Sequence, residues 1–157
     1  MIKTEAIILK SADSNEVDRL LTIYSEKMGK INIFAKGVKK PESKLRYSIE
    51  PISWVQMILV EGKNSLILKD TVIKDQLLNI KKDLGKIKIA KKITDLIDEA
   101  IAGQEKDDDV WRLILMTLKA LNEDKISFKS AVVDFQNNLI KILGYDPEAV
   151  RELKDIY

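Results

Sequence analysis

The stretch "EVDRLLTIYSEKMGKINIFAKGV", Glu16–Val38, decides the fold. In its second half Ile31, Ile33 and Ala35 alternate with Asn32, Phe34 and Lys36, the period-two signature of a half-buried strand. In its first half Val17, Leu21, Ile23 and Tyr24 suit a strand that is mostly covered. Gly29 lies between them and supplies the positive φ that a hairpin loop requires. The stretch therefore reads as a β-hairpin that runs straight into positive charge.

Outward from this hairpin the same period persists. "TEAIILK" precedes it, and "ISWVQMILV" (52–60), the turn "EGKN" and "SLILKDTVI" (65–73) follow. Five strands joined by short loops suggest a small barrel, because closure removes exposed sheet edges. Strand number alone leaves an OB-type and an SH3-like barrel both open. Past residue 75 the period turns helical. Ile89, Ile93, Leu96, Ile97, Ala100 and Ile101 share one face of a helix, with Gly103 placed to cap its C-terminus. "DDDVWRLILMTLKAL" begins with acids that cap and favour the helix dipole, and its apolar residues lie almost all round, which predicts a central helix. In "SFKSAVVDFQNNLIKILG", Ser127 is the expected N-cap, Phe128, Ala131, Val132, Phe135, Leu139, Ile142 and Leu143 the stripe, and Gly144 the stop. Asp146-Pro147 then reads as the start of a last short helix. The expected architecture is α+β: a five-stranded barrel over residues 1–76 and an all-α domain over residues 77–157.

Composition narrows the chemistry. Apolar residues at 45% and charged residues at 33% describe a globular chain, and no apolar run is long enough to span a membrane. The N-terminus lacks the pattern of a signal peptide. The chain has no cysteine and no histidine, which removes disulfides, thiolate zinc sites and every His-based catalytic pair, and which fits the cytoplasm. Asp107, Asp108 and Asp109 form a carboxylate run, but consecutive residues at a helix start point in different directions, so capping explains them better than magnesium. The expectation is a protein that is not an enzyme and needs no cofactor or metal.

Charge is concentrated. Lys36, Lys39, Lys40, Lys44 and Arg46 face a single acid, Glu42, in a chain whose total charge is only +2. Phe34 and Lys36 share a strand face, Gly37 permits close backbone approach, Pro41 stiffens the connection, and "KLRYS" (44–48) alternates as a returning strand. A solvated loop is the plain alternative. Cations beside aromatic rings are also the general recipe for single-stranded nucleic acid, with Phe34, Tyr47 and Trp54 as candidate rings for stacking, although each taken alone is better explained as core. "KKDLGKIKIAKK" (81–92) is a second basic run whose lysines fall on several sides of a helix.

Residues Glu5–Lys10 ("EAIILK"), Glu16–Tyr24 ("EVDRLLTIY") and Gly29–Leu45 ("GKINIFAKGVKKPESKL") together resemble the N-terminal OB-fold of the RecO family of bacterial recombination mediators. The late "LGYDP" (143–147) is similar more weakly. The resemblance implies a non-enzymatic protein of DNA repair and recombination, cytoplasmic and nucleoid-associated. Such a protein binds single- and double-stranded DNA and anneals complementary strands. It works with a RecR-type partner and with the tail of the single-strand DNA-binding protein. Residue by residue, the resemblance implies phosphate contacts at Lys36, Lys39, Lys40, Lys44 and Arg46, with Gly37 and Ser43 shaping the loop; Arg19 either joins them or pairs with Asp18, Glu16 or another acid. Two rival readings remain: an adaptor that binds a protein tail and barely touches DNA, and an RNA-binding OB protein. Many members carry a Cys-x-x-Cys zinc site after the "LG-x-x-P" segment; here the corresponding positions fall near Glu152 and Asp155, so a short member without a zinc finger is expected.

Overall fold

The computed structural model describes residues 1–144. The helix expected from Asp146-Pro147, and Glu152 and Asp155, lie outside the described residues. Two compact units emerge: Met1–Gln76 together with Ile101–Lys106, and Leu77–Ala100 together with the chain from Asp107 onward.

The first unit is a closed barrel of β1 (Ile2–Asp13), β2 (Arg19–Ser25), β3 (Gly29–Ala35), β4 (Trp54–Glu61) and β5 (Leu66–Asp75), in the order β1-β2-β3-β5-β4. β1 closes it by pairing antiparallel with β2 along one edge and with β4 along the other. The parallel pairing of β3 with β5, Ile33 opposite Leu66 and Phe34 opposite Ile67, completes the OB arrangement and decides against the SH3-like alternative. Alternation fills the interior: Ala6 and Ile8, Leu21 and Ile23, Ile31 and Ile33, Val55, Met57 and Leu59 all point inward. The hairpin turn is as read, with Gly29 at φ 71.

The chain between β3 and β4 departs from expectation. "KLRYS" (44–48) is a run of turns, not a strand, and β3 ends at Ala35, one residue before Lys36. The strands flanking this segment already have both neighbours, β2 and β5 for β3, β1 and β5 for β4, so no edge there is left to pair with. Instead it closes successive turns, Lys40 N–H donating to Gly37 C=O (3.1 Å), Ser43 N–H to Lys40 C=O (3.0 Å) and Ser48 N–H to Leu45 C=O (3.1 Å). Val38 and Ile49 drop into the barrel core and Leu45 packs against it. The return into β4 passes through Ile52 at φ 65, a conformation that strains a β-branched residue. Two backbone bonds to β1 hold it, Ile52 N–H to Ile8 C=O (2.8 Å) and Ile8 N–H to Ser53 C=O (3.2 Å).

The second unit comprises α1 (Leu78–Lys81), α2 (Leu84–Ala100), α3 (Asp108–Asn122) and α4 (Phe128–Leu143). Asp107 caps α3 by accepting from the N–H groups of Asp109 and Val110, Ser127 caps α4 through Ser130 N–H, and Gly144 ends α4 at φ 72. Gly103 is not a cap: α2 stops at Ala100 and Gly103 sits in the connecting segment. Nor is α3 buried all round. Val110, Trp111, Ile114, Leu118 and Leu121 form one covered face, while Met116 is exposed. The α4 stripe is shifted, with Ala131, Phe135, Gln136, Leu139 and Ile140 buried and Phe128 41% exposed.

Segment Ile101–Lys106 lies against the hairpin so closely that a Cβ on Gly29 would overlap the Glu105 carbonyl. Gly29→Ala therefore combines left-handed strain, about 1–2 kcal/mol for a residue with a Cβ, with a clash against backbone. Urea unfolding should show a loss of about 2 kcal/mol or more; an unchanged midpoint would mean the segment is not seated there.

Candidate nucleic-acid interface

The site begins with an Asx turn in the β1–β2 loop. Asn15 Oδ1 accepts from the N–H groups of Val17 and Asp18, both at 2.9 Å, and Asn15 Nδ2 donates to Asp18 Oδ2 at 2.8 Å. This leaves Asp18 Oδ1 pointing across to the basic segment, where it accepts Gly37 N–H at 2.6 Å. Gly37 adopts φ 64 there, and Lys39 N–H donates to Val17 C=O at 2.9 Å. One buried carboxylate thus ties the start of the basic segment to the β1–β2 loop. The Gly37 bond holds the Asp18 carboxyl below its usual range; Asn15 and the charges of Lys36 and Lys40 add to this against an opposing effect of burial. Asp18 was weighed in the sequence only as a partner for Arg19. The "NEVD" spacing of an Asx turn was the signal for its real role.

Beyond Gly37 the anchors Val38 and Ile49 point inward and the charges between them point out. Lys36, Lys40, Lys44 and Arg46 are exposed. Lys39, an expected phosphate contact, keeps only 28% of its side chain open and its Nζ lies 3.2 Å from Asp13 Oδ2. Arg19 also finds Asp13, its partner in the β1–β2 register, with Nε 3.7 Å from Oδ1, and its Nη1 donates to Ser11 Oγ at 3.0 Å. Arg19, Lys39 and Arg46 line one open cleft of about 470 Å³, with Val38, Ile49 and Pro51 as its apolar surface and Glu50 at its side. The structure therefore brings together three of the expected cations from separate parts of the chain. Lys36, Lys40 and Lys44 are not among the residues lining the cleft.

The aromatic residues divide. Tyr47 is 68% exposed, the Arg46 guanidinium carbon lies 4.9 Å from its ring centroid, and Arg46 Nη2 donates to its hydroxyl at 2.8 Å. Arg46 and Tyr47 thus present a stacked cation and ring beside the cleft. Phe34 lies on the outer face of β3 opposite Leu20 and Ile67 and is half-buried, while Lys36 lies just beyond the strand end and is exposed. Trp54 opens β4 opposite Ile7 and is partly covered. Ser48 fastens the far end of the segment, with its hydroxyl 2.6 Å from that of Thr71 on β5.

The second basic run does not present its lysines together. Lys86 is buried with its Nζ 2.7 Å from Asp124, and Lys91 pairs with Asp95 one turn along α2. Asp107–Asp109 act as read: Asp107 caps and Asp109 pairs with Arg112. Among the described residues no helix is long and apolar enough to cross a membrane.

A family model described as "Recombination protein O N terminal" matches residues 1–76, and one described as "Recombination protein O C terminal" matches residues 81–154. Curated relatives called "DNA repair protein RecO" are similar along most of the chain. That of Clostridium perfringens is 32% identical over 145 residues, 92% of this chain and 59% of the relative. That of Desulforamulus reducens is 33% identical over 148 residues (93% and 56%), and that of Thermoanaerobacter sp. 28% over 148 residues (94% and 60%). The chain spans about three fifths of the length of these relatives.

Because Asp18 is held ionised, its contribution to the loop is fully present above the unfolded carboxyl value near ~3.9 and is lost as pH falls through its lower folded value. Gly37 amide exchange should thus be protected at pH 5–7 and become unprotected in acid. Asp18→Ala should speed it by roughly tenfold or more, the scale of one charge-assisted hydrogen bond. Unchanged protection in the variant would show that Asp18 does not hold the loop.

Proposed function

The chain belongs to the RecO family, and from that premise we propose that it is a non-enzymatic DNA-binding protein of recombinational repair whose barrel holds single-stranded DNA along the basic segment. The observation that carries this reading is the cleft in which Arg19, Lys39 and Arg46 surround an apolar surface, with the Arg46–Tyr47 stack beside it. Phosphates take the cations; the sugar and base take Pro51 and the open face of Tyr47, over a floor closed by the buried Val38 and Ile49. Lys36, Lys40 and Lys44 extend the positive field around it. A contact set made of charge and ring faces tolerates any sequence, as a protein that pairs complementary strands requires. Charge and ring faces do not distinguish RNA from DNA, so the preference for DNA rests on the family.

In this reading the protein anneals strands and acts with a RecR-type partner and with the acidic, apolar tail of a single-strand DNA-binding protein. One feature favours the rival reading of a tail-binding adaptor: a small apolar pocket lined by Leu96, Ala100, Leu139, Ile140 and Leu143 on α2 and α4. Glu99 stands at the same pocket and repels an acidic tail, so the barrel remains the stronger site.

Anisotropy titration of a labelled single strand of about 30 nucleotides separates the two. With four or five phosphates neutralised, log K should fall against log[salt] with a slope of roughly −3, at ~0.7 per phosphate. Lys39→Glu/Lys40→Glu should weaken binding on the order of tenfold or more at low salt while the barrel stays folded, the lost Lys39–Asp13 pair costing about 1 kcal/mol or less. A slope near zero, or binding indifferent to the pair, would move the function to the helical unit.

A further inference from the structure

Two of the three cations in the cleft are already spoken for by one carboxylate. Asp13 ends β1 directly opposite Arg19, and its two oxygens are divided between Arg19 Nε (3.7 Å) and Lys39 Nζ (3.2 Å). Ser11 Oγ, two residues earlier on β1, accepts from Arg19 Nη1 and fixes the guanidinium in that orientation. Asp13 is not itself among the residues lining the cleft, whereas Arg19 and Lys39 are, so two cations of the cleft wall are held by a carboxylate outside that lining.

We propose that Asp13 is a built-in competitor for the nucleic-acid phosphate, a clasp that engages Arg19 and Lys39 and cancels one of their two charges until a polyanion of sufficient charge density takes them over. The inference rests on the DNA-binding reading of this cleft and goes beyond it by naming a residue that opposes binding. Asp13 is 61% exposed, and its cations are partly exposed, so the clasp is the weak, exchangeable kind of ion pair and not a buried one. Its weakness suits it to exchange: an isolated anion gains little by opening it, whereas a chain of phosphates spreads the loss over several contacts. The clasp also changes the salt dependence. Each phosphate that takes a cation from Asp13 leaves a carboxylate that recruits a cation from solution, so net counterion release is smaller than the count of lysines and arginines implies.

The test compares Asp13→Asn with wild type on the same labelled single strand, with Glu42→Gln removing one charge from the basic segment as the control. Asp13→Asn should bind about three- to tenfold tighter near 50 mM salt, and its slope should steepen by up to about 0.7. The gain should shrink toward nothing at about 0.5 M, where screening acts within a few ångströms. Glu42→Gln should tighten binding less and leave the slope unchanged. Asp13→Glu, which restores the charge, should return binding to the wild-type side and guards against a packing effect of the amide. Equal or weaker binding by Asp13→Asn, with wild-type binding still lost in Lys39→Glu/Lys40→Glu, would show that Asp13 positions the cations and would overturn the clasp alone. Equal gains in Asp13→Asn and Glu42→Gln would overturn it as a general charge effect. Absence of binding in every variant and in wild type would overturn the DNA reading with it.

Discussion

Everything at the interface depends on one constraint: the connection between β3 and β4 has to bury Val38, Leu45 and Ile49 against the barrel while carrying five cations. Apolar side chains gain by leaving water and lysine ammoniums lose heavily, so the only arrangement that serves both turns the anchors inward and the charges outward. The loop is thereby a structural part of the barrel and an electrostatic surface at once. Its successive turns set which cations share a cleft. Its two ends are fixed by polar ties, Asp18 to Gly37 at the start and Ser48 to Thr71 near the finish. Between those ties the positive charge is held on a defined surface, which lowers the ordering cost of binding a flexible strand.

Much of this was legible in the residues. The β2–β3 hairpin, the five strands, the helix caps at Asp107 and Ser127 and the stop at Gly144 follow from periodicity and local chemistry, and the structure has them where those signals place them. The failure at "KLRYS" has a physical cause. Alternation of Lys44, Arg46 and Ser48 with Leu45 and Tyr47 satisfies the local rule for a strand, but a strand needs an unpaired neighbour, and barrel closure had taken the neighbours of β3 and β4. The spacing of Leu45 and Ile49 by four residues, one turn apart, was the competing signal. Gly103 failed as a cap for a related reason: the segment it occupies is grouped with the barrel and not with the helix before it.

The site shows the same division. That Lys36, Lys40, Lys44 and Arg46 would be surface groups was legible; for Arg19 the residues left phosphate contact and pairing with an acid equally open. Which acid, and that Lys39 would share it, was not. Asp13, Arg19 and Lys39 are brought together by the register of β1 on β2 and by the turn at Gly37, neither of which composition specifies. Sequence names the charges; register decides which of them cancel.

The most direct test of the central claim is a backbone amide NMR titration with single-stranded DNA. Shifts should concentrate at Arg19, at Val38–Lys40 and at Arg46–Ile49, and should fade in high salt. Shifts confined to the helices from Leu84 to Leu143, with the β3–β4 connection silent, would contradict it.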